Sequence, residues 1–309
     1  MNPASPPDPF DRCAHRAHRA RAARTLPAHD FLFDEVGSRL LDRLDDIRRD
    51  FTNVLDLSCR GGALATALRA RGPADGLVVQ ADLAPQMAAA ARRANGLPAV
   101  AADEEWLPFK EASLDLVISN LGLHWVNDLP GALVQIRRVL KPDGLFLATL
   151  FGAGTLETLR SVLMEAEIEV EGGASPRVSP FAEVRDGGDL LSRAGFALPV
   201  ADNETLRVSF ADPLALMRDL GAMGESTSAH ARRKTFSRRA TLALAAARYP
   251  RQPDGRIEAE FGIITLTAWA PGPGQQQPLR PGSATARLAD HLGTPERPAG
   301  DTTPRPGNS

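Results

Sequence analysis

The sequence predicts an α/β fold, a Rossmann-like, mostly parallel sheet of seven strands with helices on both faces. One observation is the alternation of short apolar runs with Ala- and Leu-rich segments, which is typical of strands followed by helices. Another is that the first three runs contain or end in acids, Asp56, Asp82 and Asp103. Carboxylates at the ends of parallel strands meet at one edge of the sheet, where such folds bind nucleotides and nucleosides.

The first strand and its turn lie in residues 51–62. An apolar run around Asp56 predicts a buried strand, and Gly61 and Gly62 then open an Ala- and Leu-rich helix. A backbone that turns so sharply presents free N–H groups to a ligand. We therefore predict a cofactor cradle that contains Asp56, Ser58, Gly61 and Gly62.

The next two strands add further candidate ligands. Asp82 lies 26 residues after Asp56, where a carboxylate can accept hydrogen bonds from both hydroxyls of a ribose. Leu83 follows it at the same edge. Asp103 and Glu104 end the third strand, and we expect them to face an adenine amino group, with residues 106–109 as an apolar wall for the base.

The fourth strand, residues 113–120, brings Asn120 and Leu121 to the reacting centre. His124 is the candidate catalytic residue, because an imidazole beside that centre can act as a base or hold the substrate by a hydrogen bond. The alternative is that His124 and Trp125 line the pocket without taking part in the chemistry.

The loop resembles the first motif of class I S-adenosylmethionine-dependent methyltransferases, Asp-Leu-Gly-Cys-Gly-x-Gly, although Ser58 and Arg60 stand at two glycine positions. Arg60 there requires either a backbone without positive φ or some strain. A nicotinamide-dependent dehydrogenase is the alternative, since Asp82 also suits a dinucleotide ribose. The loop lacks the Gly-x-Gly-x-x-Gly pattern of those enzymes.

A wider family resemblance extends from about Phe10 to Ser283. It rests on runs at 34–39, 56–57, 102–105, 107–109, 123–130, 140–144, 171–176, 179–181, 193–196, 223–226 and 280–283. These runs resemble the type 11 methyltransferase domain, in the branch with malonyl-carrier O-methyltransferases. They are most similar to the complex I assembly factor 5 family and its alphaproteobacterial counterparts.

The resemblance implies S-adenosyl-L-methionine as the cofactor. We predict methyl transfer to a small-molecule or protein acceptor. The alternative implied by the same family is a respiratory complex I assembly factor that hydroxylates an arginine of a partner subunit. The residues themselves show no metal-ligand set for such a hydroxylation.

Composition limits the function classes. The chain of 309 residues has a formal net charge of −2 and a pI of about 6.3, which gives no general affinity for nucleic acid. It has no apolar run of membrane-spanning length, no signal-peptide core and two cysteines. We predict a bacterial cytoplasmic protein, which a partner can hold at the inner membrane.

The predicted division of the chain follows these motifs. It comprises a disordered start (1–9), an N-terminal lid with packing helices (10–50), the cofactor-binding core (51–151), a helical insert with a late strand as substrate roof (152–250), the last strand (251–270) and a disordered tail (271–309). Strands are expected at 205–210 and 260–269 as an antiparallel edge pair. A turn is expected at 141–144.

Several polar residues have two interpretations. His15 and His18 are three residues apart and can in principle bind metal, but we expect a solvated helix face. For Glu225 we expect a solvated loop, with recognition of a guanidinium as the second interpretation. The basic residues between 232 and 239 are expected to form a solvated helix face, with docking of an acidic partner as the alternative.

Overall fold

The computed structural model describes residues 8–179, 181, 184–275, 290 and 293–294, with the backbone alone at 184–186. The helices are α1 Arg12–Ala22, α2 Phe31–Asp45, α3 Ala63–Arg71, α4 Pro85–Asn95, α5 Leu129–Val139, α6 Glu157–Glu171, α7 Val184–Arg193, α8 Pro213–Met223 and α9 Arg239–Arg248. The strands are β1 Asn53–Leu57, β2 Leu77–Asp82, β3 Ala99–Ala101, β4 Leu114–Asn120, β5 Leu140–Phe151, β6 Ala197–Phe210 and β7 Ile257–Trp269.

The described strands form one seven-stranded sheet with the order β3-β2-β1-β4-β5-β7-β6. Neighbouring strands from β3 to β5 are parallel, and β7 is antiparallel to both β5 and β6. The predicted fold class is thus confirmed. The strand order reverses between β1 and β4, and such a switch point opens a crevice at the carboxyl ends of the strands.

Side chains of successive strand residues pack on opposite faces of the sheet. On one face, Val54 and Leu116 pack with residues of α2 and α3. On the other, Leu55 and Val117 pack with residues of α5. Each such fully buried side chain contributes about 1.5–3 kcal/mol. Both faces of β1 and β4 are therefore covered, and their carboxyl ends form the crevice.

A third apolar cluster lies under the roof. Phe151, the last residue of β5, and Phe261 of β7 are packed with apolar residues of α6 and α8. Leu159 and Leu163 are four residues apart, so they lie on the same face of α6, as in an amphipathic helix that packs against a core.

Some boundaries differ from the predictions. Residues 141–144 lie within β5, not in a separate turn, because the Asp143 N–H donates to the Ala270 carbonyl beyond β7. β6 begins at Ala197 and pairs with β7 over most of its length, far beyond the predicted six residues at 205–210. Residues 232–238 are not helical.

The predicted disorder at 1–9 and 271–309 lies mostly outside the described residues, as do Arg280–Ser283 and Pro180 of the resemblance. Among the described residues, none of the helices is long and apolar enough to cross a membrane. The division of the chain into lid, core and roof stays a prediction.

Candidate functional site

The loop after β1 holds two non-glycine residues in left-handed backbone. Ser58 has φ 63°, Arg60 has φ 52° and Gly62 has φ 85°. The left-handed conformation costs roughly 1–2 kcal/mol for a residue with a Cβ. Arg60 therefore has a positive φ and a strained backbone, the second of the two possibilities that the sequence left open. Gly62 is required by space as well, because a Cβ there would lie 2.5 Å from the Gln80 Oε1 atom.

Asp82, at the end of β2, is fully buried and holds an arginine of the N-terminal helix. Arg19 Nε donates to Asp82 Oδ1 at 3.1 Å, and Arg19 Nη2 donates to Oδ2. The backbone N–H groups of Ala84 and Arg60 donate to the same carboxylate at 2.9 and 3.3 Å. The predicted ribose ligand is therefore paired with Arg19 in this state of the protein.

Asp103 and Glu104, which follow β3, are also paired with an arginine of α1. Arg12 Nη2 donates to Asp103 Oδ1 and to Glu104 Oε2, each at 2.5 Å. Glu104 also accepts a hydrogen bond of 2.8 Å from Ser58 Oγ. Trp106 is 80% exposed, and its role as a wall for the adenine stays a prediction.

Asp56 differs because none of the described residues forms an ion pair with it. It is 1% exposed, and among the described residues its Oδ2 atom has no hydrogen-bond partner. Burial, with the charge of Asp82, raises the pKa of Asp56 to about 7. Asp56 lines a cavity of about 610 Å³ whose lining includes Gly61, Gly62, Arg60, Phe33 and Asn120.

A second buried cluster is centred on Glu225, which follows α8. Its Oε2 accepts hydrogen bonds from Trp125 Nε1 at 2.8 Å and from His124 Nε2 at 3.2 Å. Its Oε1 lies 2.9 Å from Arg60 Nη2, and the Arg60 guanidinium lies 3.6 Å from the centre of the Phe33 ring. Glu225 is 9% exposed, so the expectation of a solvated loop is wrong.

The charges of this cluster follow from its burial and its partners. Burial tends to raise the pKa of Glu225, but Arg60 and His124 outweigh it and hold that pKa well below its ordinary value. Burial and the charge of Arg19 lower the pKa of Arg60 to about 10. Burial lowers the pKa of His124, so its ring is neutral near pH 7. The ring also contacts the Phe151 backbone N–H, 3.5 Å from Nδ1.

The two histidines of α1 are not on a solvated face, which corrects that expectation. His15 is 1% exposed and is stacked on the Trp125 ring, with 5.0 Å between ring centres. His18 is partly buried, and its Nδ1 lies 3.2 Å from the Ser226 carbonyl oxygen. His18 faces the loop after α8 because the start of α1 packs against that loop. No cluster of three metal-ligating side chains occurs in the described chain.

The remaining predicted ligands lie at the same edge. Leu83 is buried beside Asp82. Asn120 donates to the Phe33 carbonyl at 2.8 Å and accepts from Thr149 Oγ1 at 3.0 Å. Leu121 has φ 51°, and its carbonyl accepts a hydrogen bond from Arg60. Asn120 thus fixes α2 to the sheet, and cofactor binding by these residues stays a prediction.

Sequence reasoning missed Arg12, Arg19 and Phe33 as site residues. Arg12 and Arg19 are seven residues apart, a spacing that places two side chains on one helix face. That spacing was the available signal. No local pattern indicates which acids they reach, since Arg12 is 91 residues from Asp103 and Arg19 is 63 from Asp82.

Comparisons with known proteins agree with this geometry. Residues 55–148 match the family model described as a methyltransferase domain. A Bacillus halodurans methyltransferase structure superposes with a TM-score of 0.53 at 17% identity, over 76% of this chain and 98% of the other, which shows the fold alone.

Three relatives cover most of the chain. The arginine-hydroxylase NDUFAF5 of Homo sapiens is 43% identical over 91% of this chain and 82% of its own. The protein of that name from Danio rerio is 40% identical over 91% and 88%. A malonyl-[acyl-carrier protein] O-methyltransferase of Methylovorus is 36% identical over 85% and 90%.

The fold and the row of strand-end acids define the class, an S-adenosylmethionine-dependent methyltransferase of class I architecture. Within that class, the chain belongs to the family that includes the arginine-hydroxylase NDUFAF5 and the malonyl-[acyl-carrier protein] O-methyltransferases.

Proposed function

We propose that this protein binds S-adenosylmethionine at the carboxyl edge of its sheet and modifies an arginine side chain of a partner protein. The observation that carries the proposal is that Asp56 of β1, Asp82 at the end of β2 and Asp103 just after β3 lie at the same edge of the sheet. The choice of arginine is supported by the relatives, because the proteins named arginine-hydroxylase are 38–43% identical to this chain. The O-methyltransferases are 34–36% identical.

The residues at the crevice suit the cofactor at its amino-acid end. The unpaired Oδ2 of Asp56 is available to a cationic amino group, and the adjoining cavity of about 610 Å³ gives it room. Ser58, Gly61 and Gly62 supply the backbone around that cavity. Asn120, the last residue of β4, also lines the cavity, and Leu121 follows it.

The acids expected at the nucleoside end of the cofactor, Asp82, Asp103 and Glu104, are held by arginines of α1. Asp82 with Leu83 would receive the ribose, and Asp103 with Glu104 the adenine amino group. For this, the bonds from Arg19 and Arg12 have to open. We therefore propose that cofactor binding and movement of α1 are linked, so that the N-terminal helix acts as the lid of the site.

When bound, S-adenosylmethionine supplies an electrophilic methyl group. His124, in the turn after β4, is the catalytic candidate, because its Nε2 donates to Glu225 and Nδ1 is therefore the atom of its neutral ring that can accept a proton. Hydroxylation of the arginine is the alternative chemistry, favoured by the name of the mammalian relatives. Both chemistries use the same target residue and differ in the group that is added.

The partner we propose is a subunit of respiratory complex I. We accordingly propose that the protein lies in the bacterial cytoplasm and that this partner holds it at the inner membrane. The test is mass spectrometry of the complex I subunits from a strain without the gene. We expect an arginine that carries an added methylene or oxygen in the parent strain and is unmodified in the deletion strain. Identical arginines in both strains would overturn the proposal.

The cofactor is tested separately by calorimetric titration with S-adenosylhomocysteine. We expect micromolar binding, and a loss of at least about tenfold in Asp82→Asn, because a carboxylate that accepts two hydroxyl hydrogen bonds is replaced by an amide. Asp45→Asn, an exposed acid at the end of α2, is the matched control and should bind as the parent does. Unchanged affinity in Asp82→Asn would remove the ribose assignment.

A further inference from the structure

Glu225 stands between two cavities. On one side is the cavity of about 610 Å³ at the crevice, whose lining includes Arg60. On the other is a cavity of about 220 Å³ under the roof, whose lining includes Glu225 itself. The Arg60–Glu225 ion pair therefore lies where the two cavities approach one another.

The roof cavity has the chemistry of an arginine pocket. Its walls are mainly apolar and include Leu156, the N-cap of α6, Leu159 and Leu163 of α6, and Met217 and Leu220 of α8. Arg177 also lines the cavity, and its charge is paired with Glu167 of α6. An apolar wall suits the methylene chain of arginine. The carboxylate of Glu225 lines the cavity, and a fixed, buried carboxylate favours the planar, forked guanidinium over an ammonium.

A guanidinium already occupies the other side of that carboxylate. Arg60 contacts Glu225 Oε1 at 2.9 Å and is stacked on Phe33 at 3.6 Å. Trp125 and His124 hold Oε2 in place from behind. This is the arrangement by which proteins bind arginine side chains, an aromatic face with a fixed carboxylate.

We propose that Glu225, oriented by Trp125 and His124, binds the guanidinium of the target arginine, and that Arg60 fills this position until the target displaces it. The inference rests on the proposed function, since it identifies the residue that selects the target. It also places the target guanidinium beside the end of β4, next to the crevice.

Arg60 has a place to go when it is displaced. Among the described residues, its Nε and Nη1 atoms are buried without hydrogen-bond partners, so its present position is incompletely satisfied. Asp30 and Asp34 line the same cavity as Arg60. Burial and the neighbouring Asp30 raise the pKa of Asp34, and a cation between the two acids would relieve that repulsion.

The first experiment observes the indole N–H of Trp125 by ¹⁵N NMR in the full-length protein, because this group donates to Glu225. The signal is assigned with Trp125→Phe. The probes are the Nα-acetyl methylamides of arginine, citrulline and lysine. We expect the arginine probe to shift the Trp125 indole signal, and citrulline, its neutral counterpart, to leave it unchanged. Equal shifts with arginine and citrulline would overturn the proposal.

The second experiment uses Arg60→Gly, which removes the competing guanidinium and relieves the left-handed backbone at φ 52°. We expect this variant to bind the arginine probe at least about tenfold more tightly than the parent, because no internal ion pair has to be broken. Arg39→Gly, an exposed arginine of α2, is the control and should bind as the parent does. A parent-like affinity in Arg60→Gly would contradict displacement.

The third experiment separates this inference from the proposed function. Strains that produce Glu225→Gln or the control Arg39→Gly are compared by mass spectrometry for the modified arginine. We expect modification to be lost in Glu225→Gln, while affinity for S-adenosylhomocysteine stays within about twofold of the parent, and to persist in Arg39→Gly. Normal modification in Glu225→Gln overturns the Glu225 site alone. Absence of any modified arginine in the parent strain overturns the proposed function instead.

Discussion

Two sets of arginine–carboxylate contacts lie at the carboxyl edge of the sheet, and they differ in where the arginine comes from. At Asp82 and Asp103 the arginines belong to α1, near the start of the chain. At Glu225 the arginine is Arg60, in the loop between β1 and α3. The carboxylates are fixed by the sheet in the first set and by the loop after α8 in the second.

This difference predicts two kinds of opening. Arg12 and Arg19 are on one helix that precedes the sheet, so both can leave their acids together when α1 moves. The backbone of Arg60 is held at both ends by β1 and α3, so only its side chain can rotate away. The cofactor edge is thus suited to opening by a moving helix, and the Glu225 site to exchange of one guanidinium for another.

The largest expected effect tests the first set. Arg19→Ala leaves Asp82 buried without its cation and should lower the free energy of unfolding by about 3–5 kcal/mol. Urea denaturation measures this loss. The same variant should bind S-adenosylhomocysteine more tightly, because Asp82 is then free. Arg16→Ala, an exposed residue of the same helix, should cost less than about 0.5 kcal/mol. Equal losses in the two variants would show that α1 is not held by this ion pair.

Asp56 sharpens the comparison because it is a strand acid that pairs with no arginine of the described residues. Its pKa is raised to about 7, so the folded protein keeps a proton that the unfolded chain loses at its ordinary value near 3.8. Stability should therefore fall as pH rises between these values. Relative to the parent, Asp56→Asn should be more stable at pH 8 than at pH 5 by about 2 kcal/mol, since the cost of the buried charge is removed. Thermal denaturation at the two pH values measures it, and a difference that is independent of pH would refute it.

A third cluster, around Glu167 in the roof, should respond to pH in the opposite sense to Asp56. Glu167 accepts hydrogen bonds from Ser175 and Arg177, and despite burial these partners lower its pKa to about 2. The stabilisation is complete above its ordinary pKa of 4.5 and is lost as pH falls through about 2. Glu167→Gln should cost about 1–2 kcal/mol at pH 7 and less at pH 3. Urea denaturation at both values decides, and an equal cost at both would contradict the assignment.

The smallest effect is expected for an exposed pair. Arg39 contacts Glu35 within α2 and Glu204 of β6, and all three side chains are about one third exposed or more. Solvent screens such pairs, so Arg39→Ala should change the free energy of unfolding by less than about 1 kcal/mol. A loss as large as that of Arg19→Ala would mean that burial does not set the strength of these contacts.

The sequence predicted the parts of this protein that depend on neighbouring residues. Apolar runs and strand-end acids place Asp56, Asp82 and Asp103 at one edge, and the two glycines predict the turn after β1. The same reasoning failed for β6, since much of its length is set by pairing with β7, a strand from a distant part of the chain. It also failed for residues 232–238, where Arg233 pairs with Glu167 and Glu171 of α6 rather than forming a helix face.

The sequence by itself therefore determined the sheet, its order of acids and the family to which the chain belongs. Only the tertiary structure decided which cations meet those acids. His15 looks like a surface residue in a basic helix, and Glu225 like a loop acid, because their burial depends on α1 and the roof folding against each other. Glu225 and His124 are 101 residues apart, and no local pattern encodes a contact over that distance.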